Sequence, residues 1–171
     1  MLFRSNGDVF VADARNHRIC RIDRTTGRVT TIAGNGEAGF DGDDVQAAQA
    51  ALDSPDAVAV ARNGDLYVAD TGNNRIRMVS AATGVITTVA GGAELPDGSL
   101  GDGGPATQAS LLRPSGLALA PNGDLYIADT DHHRIRRVDG RTGIITTFAG
   151  GSVNDTAELD PAQGDLVSPM G

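Results

Sequence analysis

The chain has 171 residues, of which 40% are hydrophobic and 23 are glycines, a composition typical of a single β-rich domain with many tight turns. Its formal net charge of −8 argues against a broad nucleic-acid interface, because phosphate binding needs a cationic surface. The single cysteine, Cys20, excludes an internal disulfide.

The sequence gives little indication of targeting. It contains no apolar run long enough to cross a membrane, and its first residues, MLFRSNGDVF, lack the basic, apolar and cleavage segments of a signal peptide. We therefore expect a cytoplasmic location for the sequence as written, or an extracytoplasmic one if it is cut from a longer secreted protein.

One unit occurs three times along the chain. The segments NGDVFVADARNHRICRID (6–23), NGDLYVADTGNNRIRMVS (63–80) and NGDLYIADTDHHRIRRVD (122–139) align without a gap. A Thr-Gly turn and a similar run follow each of them: TGRVTTIAG, TGVITTVAG and TGIITTFAG. The offsets of 57 and 59 residues leave no room for a second domain.

Each unit is predicted to form four short strands. In the third unit, GLALAP, DLYIAD, RIRRV and IITTFAG are separated by turn residues and alternate with period two. Four strands per repeat are typical of a β-propeller blade. The predicted fold class is therefore all-β, with blades at about 1–34, 55–91 and 114–150, and with 151–171 leading toward a further blade.

Longer joins connect the units. Counted back from Pro55, Pro114 and Pro169, they place in phase a glutamine (Gln49, Gln108, Gln163) and a leucine (Leu52, Leu111, Leu166). The alanine-rich part of each join is predicted to form a single helical turn that packs its leucine against the next blade.

These residues resemble the NHL-repeat family. The tetrapeptide NHRI at 16–19 is close to its Asn-His-Leu signature, and the join GDGGPAT at 101–107 is similar to that of long-repeat bacterial members and of the teneurin propeller. The resemblance covers the whole chain. It implies a β-propeller, usually of six blades, that serves mostly as a non-catalytic scaffold or binding module for proteins or other ligands.

Three blades make half of a six-bladed ring. Six positions separate Gly116 from Asn122, and six also separate Gly171 from Asn6 if one chain continues head-to-tail into another. A head-to-tail homodimer would therefore keep the repeat in phase. The alternative is a fragment whose ends coincide with the repeat by chance.

The sequence DTDHHRIRR (129–137) suggests a metal site when it is taken alone. Aligned with the other units, its histidines fall in the turn between the second and third strands, where Asn and His tolerate unusual backbone angles. A metal site usually needs three or four convergent ligands, so a structural role is favoured. Asp131, His132 and Arg136 remain as weak candidates for a binding site.

An Asp ends the second strand of each unit, five residues before an Arg that starts the third. We predict a charge-assisted hydrogen bond across the turn within each pair. Because the pairs recur in every unit, a structural role is favoured over catalysis. The pairs are Asp13 with Arg18, Asp70 with Arg75, and Asp129 with Arg134.

The joins are rich in acidic residues: Asp41, Asp43, Asp44, Asp97 and Asp102. They raise the possibility of calcium, but the EF-hand spacing and its closing glutamate are absent. Solvated turns without a cofactor are the favoured interpretation. Cys20 replaces the arginine found at Arg77 and Arg136, on a face of long charged side chains, and is predicted to be exposed.

Two other functions are disfavoured. Arg134, Arg136, Arg137 and Arg141 cluster in the third unit, but RNA binding is weakened by the acidic charge and by the presence of only two tyrosines and four phenylalanines. The resemblance also admits a metal-dependent enzyme of lactonase or lyase type. The predicted inner strands DAVAVA and GLALAP carry a single ionisable residue, Asp56, which favours the non-catalytic scaffold.

Overall fold

The computed structural model describes residues 7–95 and 98–151, together with the backbone of Leu2–Phe3, and forms three adjacent antiparallel sheets. The first sheet contains β1 (Leu2–Phe3), β2 (Val9–Asp13), β3 (Arg18–Ile22) and β4 (Val29–Ala33). The second contains β5 (Val45–Gln46), β6 (Ala57–Val60), β7 (Leu66–Asp70), β8 (Arg75–Val79) and β9 (Val85–Gly91). The third contains β10 (Pro114–Leu119), β11 (Leu125–Asp129), β12 (Arg134–Val138) and β13 (Ile145–Gly150). The all-β prediction is confirmed.

Helical structure in the described part of the chain is limited to 3-10 turns of three residues. They cover Ala14–Asn16, Ala47–Gln49, Thr71–Asn73, Ala106–Gln108 and Thr130–His132. No helix there is long and apolar enough to cross a membrane.

Left-handed residues close the turn between the second and third strands of every blade. His17, Asn74 and His133 have φ angles of 50°, 54° and 54°. Asn and His adopt these angles more readily than most residues with a side chain, which explains why they alternate at this position. The predicted turn role of the histidines agrees with this geometry.

Hydrophobic clusters lie between neighbouring blades. Between blades 1 and 2, Phe10 and Ile19 pack against Val68 and Ile86. Between blades 2 and 3, residues at the same repeat positions do the same, with Ile76 facing Ile127. Blade 2 therefore uses one sheet face against blade 1 and the opposite face against blade 3.

The joins fill these interfaces, as predicted. The 3-10 turns Ala47–Gln49 and Ala106–Gln108 are followed by Leu52 and Leu111, which are buried in the first and second cluster respectively. The equivalent Gln163 and Leu166 lie outside the described residues.

The second blade differs from the predicted four strands by carrying a fifth. Strand β5 belongs to the join and pairs with the outer strand β9, with Val45 opposite Ile86. In the third blade a single bridge between Pro105 and Ile144 marks the same contact. The join covers the outer edge of the blade that follows it, which protects backbone groups that an edge strand would leave unpaired.

Candidate functional site

The turn between β11 and β12 brings together two of the three predicted candidates. His132 Nδ1 lies 2.9 Å from Asp129 Oδ2, and Arg136 Nη1 donates to the same oxygen at 3.2 Å. The backbone N–H of Leu112 donates to Asp129 Oδ1 at 2.8 Å. The side chains of Asp129 and Arg136 are fully buried, so this cluster ties the join to the blade and offers no open binding surface.

Asp131 lies apart from this cluster. Its carboxylate is partly exposed, and Arg113 Nη1 on the preceding join is 3.9 Å away. A solvent-exposed pair at this distance contributes little to stability.

Blade 2 repeats the buried cluster with one change of residue. Asn73 donates to Asp70 at 2.8 Å, where blade 3 uses His132, and the backbone N–H of Asp53 donates to Asp70 at 2.7 Å. Arg77 Nη1 lies 3.5 Å from Asp70. Burial raises the pKa of Asp70, while the hydrogen bonds from Asn73 and Asp53 and the charge of Arg77 act in the opposite direction.

The predicted Asp–Arg pairs need correction in two blades. Asp13 and Arg18 do pair, at 3.0 Å. Asp70 and Asp129 instead pair with Arg77 and Arg136, which lie two residues beyond the predicted arginines. The predicted arginines bind other groups. Arg75 donates to the carbonyl of Asn73 at 2.8 Å and stacks on the ring of Phe40.

Arg134 likewise donates to the carbonyl of Gly151 at 3.5 Å. The strand register explains the difference. Arg75 and Arg134 stand directly opposite the Asp across the ladder, but a second arginine, buried two residues further along the strand, takes its carboxylate.

Cys20 is buried, so the prediction that it is exposed is wrong. The face it shares with Arg77 and Arg136 is not a solvated surface, because both arginines are fully buried beneath a join. Blade 1 has Cys20 at this position, and its Asp13 pairs with Arg18 instead.

The acidic joins are the partners of the buried arginines. Arg77 Nη2 donates to Asp43 at 3.0 Å, and Arg136 Nη2 donates to Asp102 at 2.7 Å. Thr88 and Thr147 donate to the same two carboxylates. Asp97 lies outside the described residues, and within those residues no group of three or more His, Cys, Asp or Glu side chains could hold a metal ion.

Sequence reasoning missed a groove between blades 2 and 3. It lies at the opposite ends of the strands from the His132 turn and consists of two adjoining clefts of about 510 and 430 Å³. Both clefts are lined by Tyr67, Gly123 and Gly140. Gly140 lies against the backbone of Gly123, where any side chain would collide, so the turns that carry these two residues pack closely at the edge of the groove.

Polar and apolar groups line this groove together. Arg62 and Asn63 line one cleft with Leu119 and Pro121. Burial, and secondarily the charge of Asp65, raises the pKa of Tyr67, so its hydroxyl is a neutral hydrogen-bonding group at neutral pH. A smaller cleft of about 310 Å³ between blades 1 and 2 has Phe10 at the position of Tyr67 and therefore lacks the hydroxyl.

Two family models match the chain. The model described as Teneurin NHL domain matches residues 1–80, and the one described as NHL repeat matches residues 111–138. The chain carries NHL repeats. The resemblance inferred from the repeats is therefore confirmed, together with the β-propeller fold that this family adopts.

Among its relatives, this NHL chain is 43% identical to Teneurin-3 of Danio rerio over 108 residues, which are 57% of this chain and 4% of that protein. Its fold is similar to an auxiliary nutrient binding protein from Bacteroides thetaiotaomicron, with a TM-score of 0.66 and 21% identity, over 98% of this chain and 40% of that one. Virginiamycin B lyase from Staphylococcus aureus gives a TM-score of 0.55 and 17% identity, over 86% and 39%. At these identities the two structures support the fold alone.

Proposed function

We propose that this NHL-repeat segment is a non-catalytic scaffold whose groove between blades 2 and 3 binds a protein segment or another ligand. The groove supports this proposal because apolar walls and a few polar groups meet in it. An extended ligand could lie along Leu119 and Pro121, while Arg62 and the Tyr67 hydroxyl provide hydrogen bonds.

The use of the repeated charges also supports a scaffold. The buried carboxylates Asp70 and Asp129 are held by arginines and by backbone N–H groups of the joins. A general acid, base or nucleophile must reach a substrate, and these groups are enclosed instead. The repeated ionic residues therefore support the architecture, and the groove is where blades 2 and 3 present individual side chains.

A selection from a displayed library of random 12-residue peptides tests the binding proposal. Peptides enriched on the wild-type chain are expected to bind at least about tenfold more weakly to an Arg62→Ser/Tyr67→Phe variant, because a lost charged hydrogen bond is worth about 1.5–3 kcal/mol. The fold should tolerate Tyr67→Phe, since Phe10 occupies the same position in blade 1. Arg28→Ser, at an exposed arginine of blade 1, is the matched control.

Peptides that bind the Arg62→Ser/Tyr67→Phe variant as tightly as they bind the wild type and Arg28→Ser would contradict this location of the site. The same protein should then be assayed for the alternative function, a metal-dependent enzyme of lactonase or lyase type. Stoichiometric divalent metal after purification, together with glucono-δ-lactone hydrolysis that a chelator abolishes, would replace the scaffold proposal.

A further inference from the structure

We propose that the groove between blades 2 and 3 recognises an arginine side chain of a bound protein segment. This side chain takes the position that an arginine of the chain itself occupies in blades 1 and 3. The inference rests on the proposed function and names the group that the groove selects, a guanidinium held by the Asp65 carboxylate beside the Tyr67 ring.

Blades 1 and 3 each cover the acidic residue before their second strand with an arginine of the third strand. Arg21 Nη2 lies 2.6 Å from Asp8 Oδ2, and Arg137 Nε donates to Asp124 Oδ2 at 2.7 Å. Asp8 and Asp124 are each 4% exposed. The guanidinium thus provides the carboxylate with a charge-assisted hydrogen bond and shields it from solvent.

Blade 2 keeps the carboxylate and lacks the arginine. Asp65 is the aligned acidic residue, and Met78 stands at the arginine position. Ser80 stands where blade 1 has Asp23 and blade 3 has Asp139, the second carboxylate near each arginine. Asp65 is therefore the anion that a guanidinium would meet at this position.

The hydrogen bonds of Asp65 come from neutral groups. The Asn63 side chain donates to Oδ2 at 2.6 Å, and the backbone N–H of Ala81 donates to Oδ1 at 2.8 Å. No arginine pairs with Asp65 among residues 7–95 and 98–151, although Arg62 lies in the same turn. Asp65 is half-buried, whereas the paired carboxylates of the other blades are covered. Its carboxylate therefore has room for a further charged hydrogen bond.

The strand register places the arginine position beside the groove. Met78 is the direct cross-strand partner of Tyr67, and side chains paired in this way lie on the same face of a sheet. Tyr67 lines both clefts of the groove. Burial, and secondarily the charge of Asp65, raises the pKa of Tyr67, so the carboxylate lies within electrostatic range of the phenol. Carboxylate and ring therefore lie together at the groove.

The cleft between blades 1 and 2 is the same site with the arginine present. It is lined by Arg21 and Phe10, at the repeat positions of Met78 and Tyr67, and has a volume of about 310 Å³. The equivalent cleft between blades 2 and 3 is larger, at about 430 Å³, and no arginine of the described residues lines it. The chain fills this position with its own guanidinium in one interface and leaves room for that of a ligand in the next.

The chemistry of the site favours arginine over lysine. A guanidinium is planar, so it can stack on an aromatic ring while its N–H groups form a forked pair of hydrogen bonds with a carboxylate. The formal net charge of −8 also attracts a cationic segment. Arg62 lines only the cleft of about 510 Å³, where it would contact a different group of the same ligand.

Removal of the Asp65 carboxylate is the first test, with peptides enriched on the wild-type chain from the displayed 12-residue library as probes. We expect these peptides to contain an arginine whose replacement by glutamine weakens binding at least about tenfold, because the charged hydrogen bond is lost. Asp65→Asn should weaken the arginine peptide by a similar factor. The glutamine peptide should bind the wild type and Asp65→Asn equally well, since the interaction can be lost only once. Asp41→Asn, at an exposed carboxylate of a join, is the matched control.

Met78→Arg is the opposite perturbation. It introduces the residue that blades 1 and 3 have at this position, so the fold should be retained, and circular dichroism checks this. The new guanidinium should compete with the peptide for Asp65 and weaken binding at least about tenfold. Met78→Leu keeps an apolar side chain of similar volume and should bind like the wild type.

The outcomes distinguish this proposal from the proposed function. Peptides that need Arg62 and Tyr67 but bind Asp65→Asn and Met78→Arg as tightly as Asp41→Asn and Met78→Leu would leave the groove as the binding site and overturn the recognition of arginine. Peptides that keep their affinity when lysine or glutamine replaces the arginine would overturn it as well. Peptides that bind every groove variant like the wild type would overturn both proposals.

Discussion

Removal of the buried guanidinium of Arg136 tests how the charged repeat residues stabilise the fold. Arg136 donates to the carbonyls of Ser110 and Leu100 and to the carboxylates of Asp129 and Asp102, and it is fully buried. Arg136→Met keeps much of the side-chain volume and removes all four bonds.

The two ion pairs contribute unequally. Asp129 is fully buried, so removing its cation leaves an uncompensated charge, which typically costs about 3–5 kcal/mol. Asp129 keeps its bonds to Leu112 N–H and His132, which places the loss near the lower bound. Asp102 is 44% exposed, so the loss of this pair adds at most about 1 kcal/mol. We therefore expect Arg136→Met to lower the free energy of unfolding by about 3–4 kcal/mol.

Urea unfolding followed by circular dichroism at one protein concentration measures this loss, because association would otherwise contribute to the apparent stability. Asp102→Asn serves as the control and should cost less than about 1 kcal/mol. Arg77→Met should cost less than Arg136→Met, since Arg77 lies 3.5 Å from Asp70 and its Nε and Nη1 lack a hydrogen-bond partner among the described residues. A loss below about 1 kcal/mol for Arg136→Met would refute the structural role of the buried pair.

Three further predictions concern acid stability, the cysteine and the histidine turn. The Gly140 backbone N–H and Arg137 lower the pKa of Asp124 below its value in the unfolded chain. The contribution of Asp124 to the free energy of unfolding is therefore complete above about pH 4 and is lost as pH falls through the folded pKa. Asp124→Asn should reduce this loss of stability in acid titrations at constant ionic strength. Cys20 should react with Ellman's reagent only after unfolding, and rapid reaction of the native protein would contradict its burial. His132→Asn should change the free energy of unfolding by no more than about 0.5 kcal/mol, because Asn occupies this position in the other blades. If zinc stabilised the wild-type protein but not this variant, His132 would belong to a metal site.

The repeat made the blades predictable. Period-two runs repeated three times fixed the strands and turns, and the in-phase Leu52 and Leu111 correctly indicated buried side chains in the joins. Strand β5 was not predictable, because Val45–Gln46 has no strand signal of its own and forms only against the exposed edge of β9.

The ionic partners were harder to predict for a physical reason. Sequence spacing identifies which residues face each other across a turn, as Asp70 and Arg75 do, but not which of two arginines reaches the carboxylate. The choice depends on the join folding over Arg77 and burying it, a contact between residues 34 positions apart. The same burial explains why Cys20 was misjudged.

The groove at Tyr67 had no sequence signal, because its walls come from the turns of two different blades. The difference between Phe10 and Tyr67 is visible in the aligned repeats. Only the structure shows that this position lines a cleft in both cases, so that the Tyr67 hydroxyl becomes a potential ligand contact.

Peptide binding to the groove between blades 2 and 3 tests the proposed function most directly. Peptides selected on the wild-type chain should bind at least about tenfold more weakly to the Arg62→Ser/Tyr67→Phe variant than to the Arg28→Ser control. Peptides that bind these two variants equally tightly would contradict the account, because the groove would then take no part in their recognition.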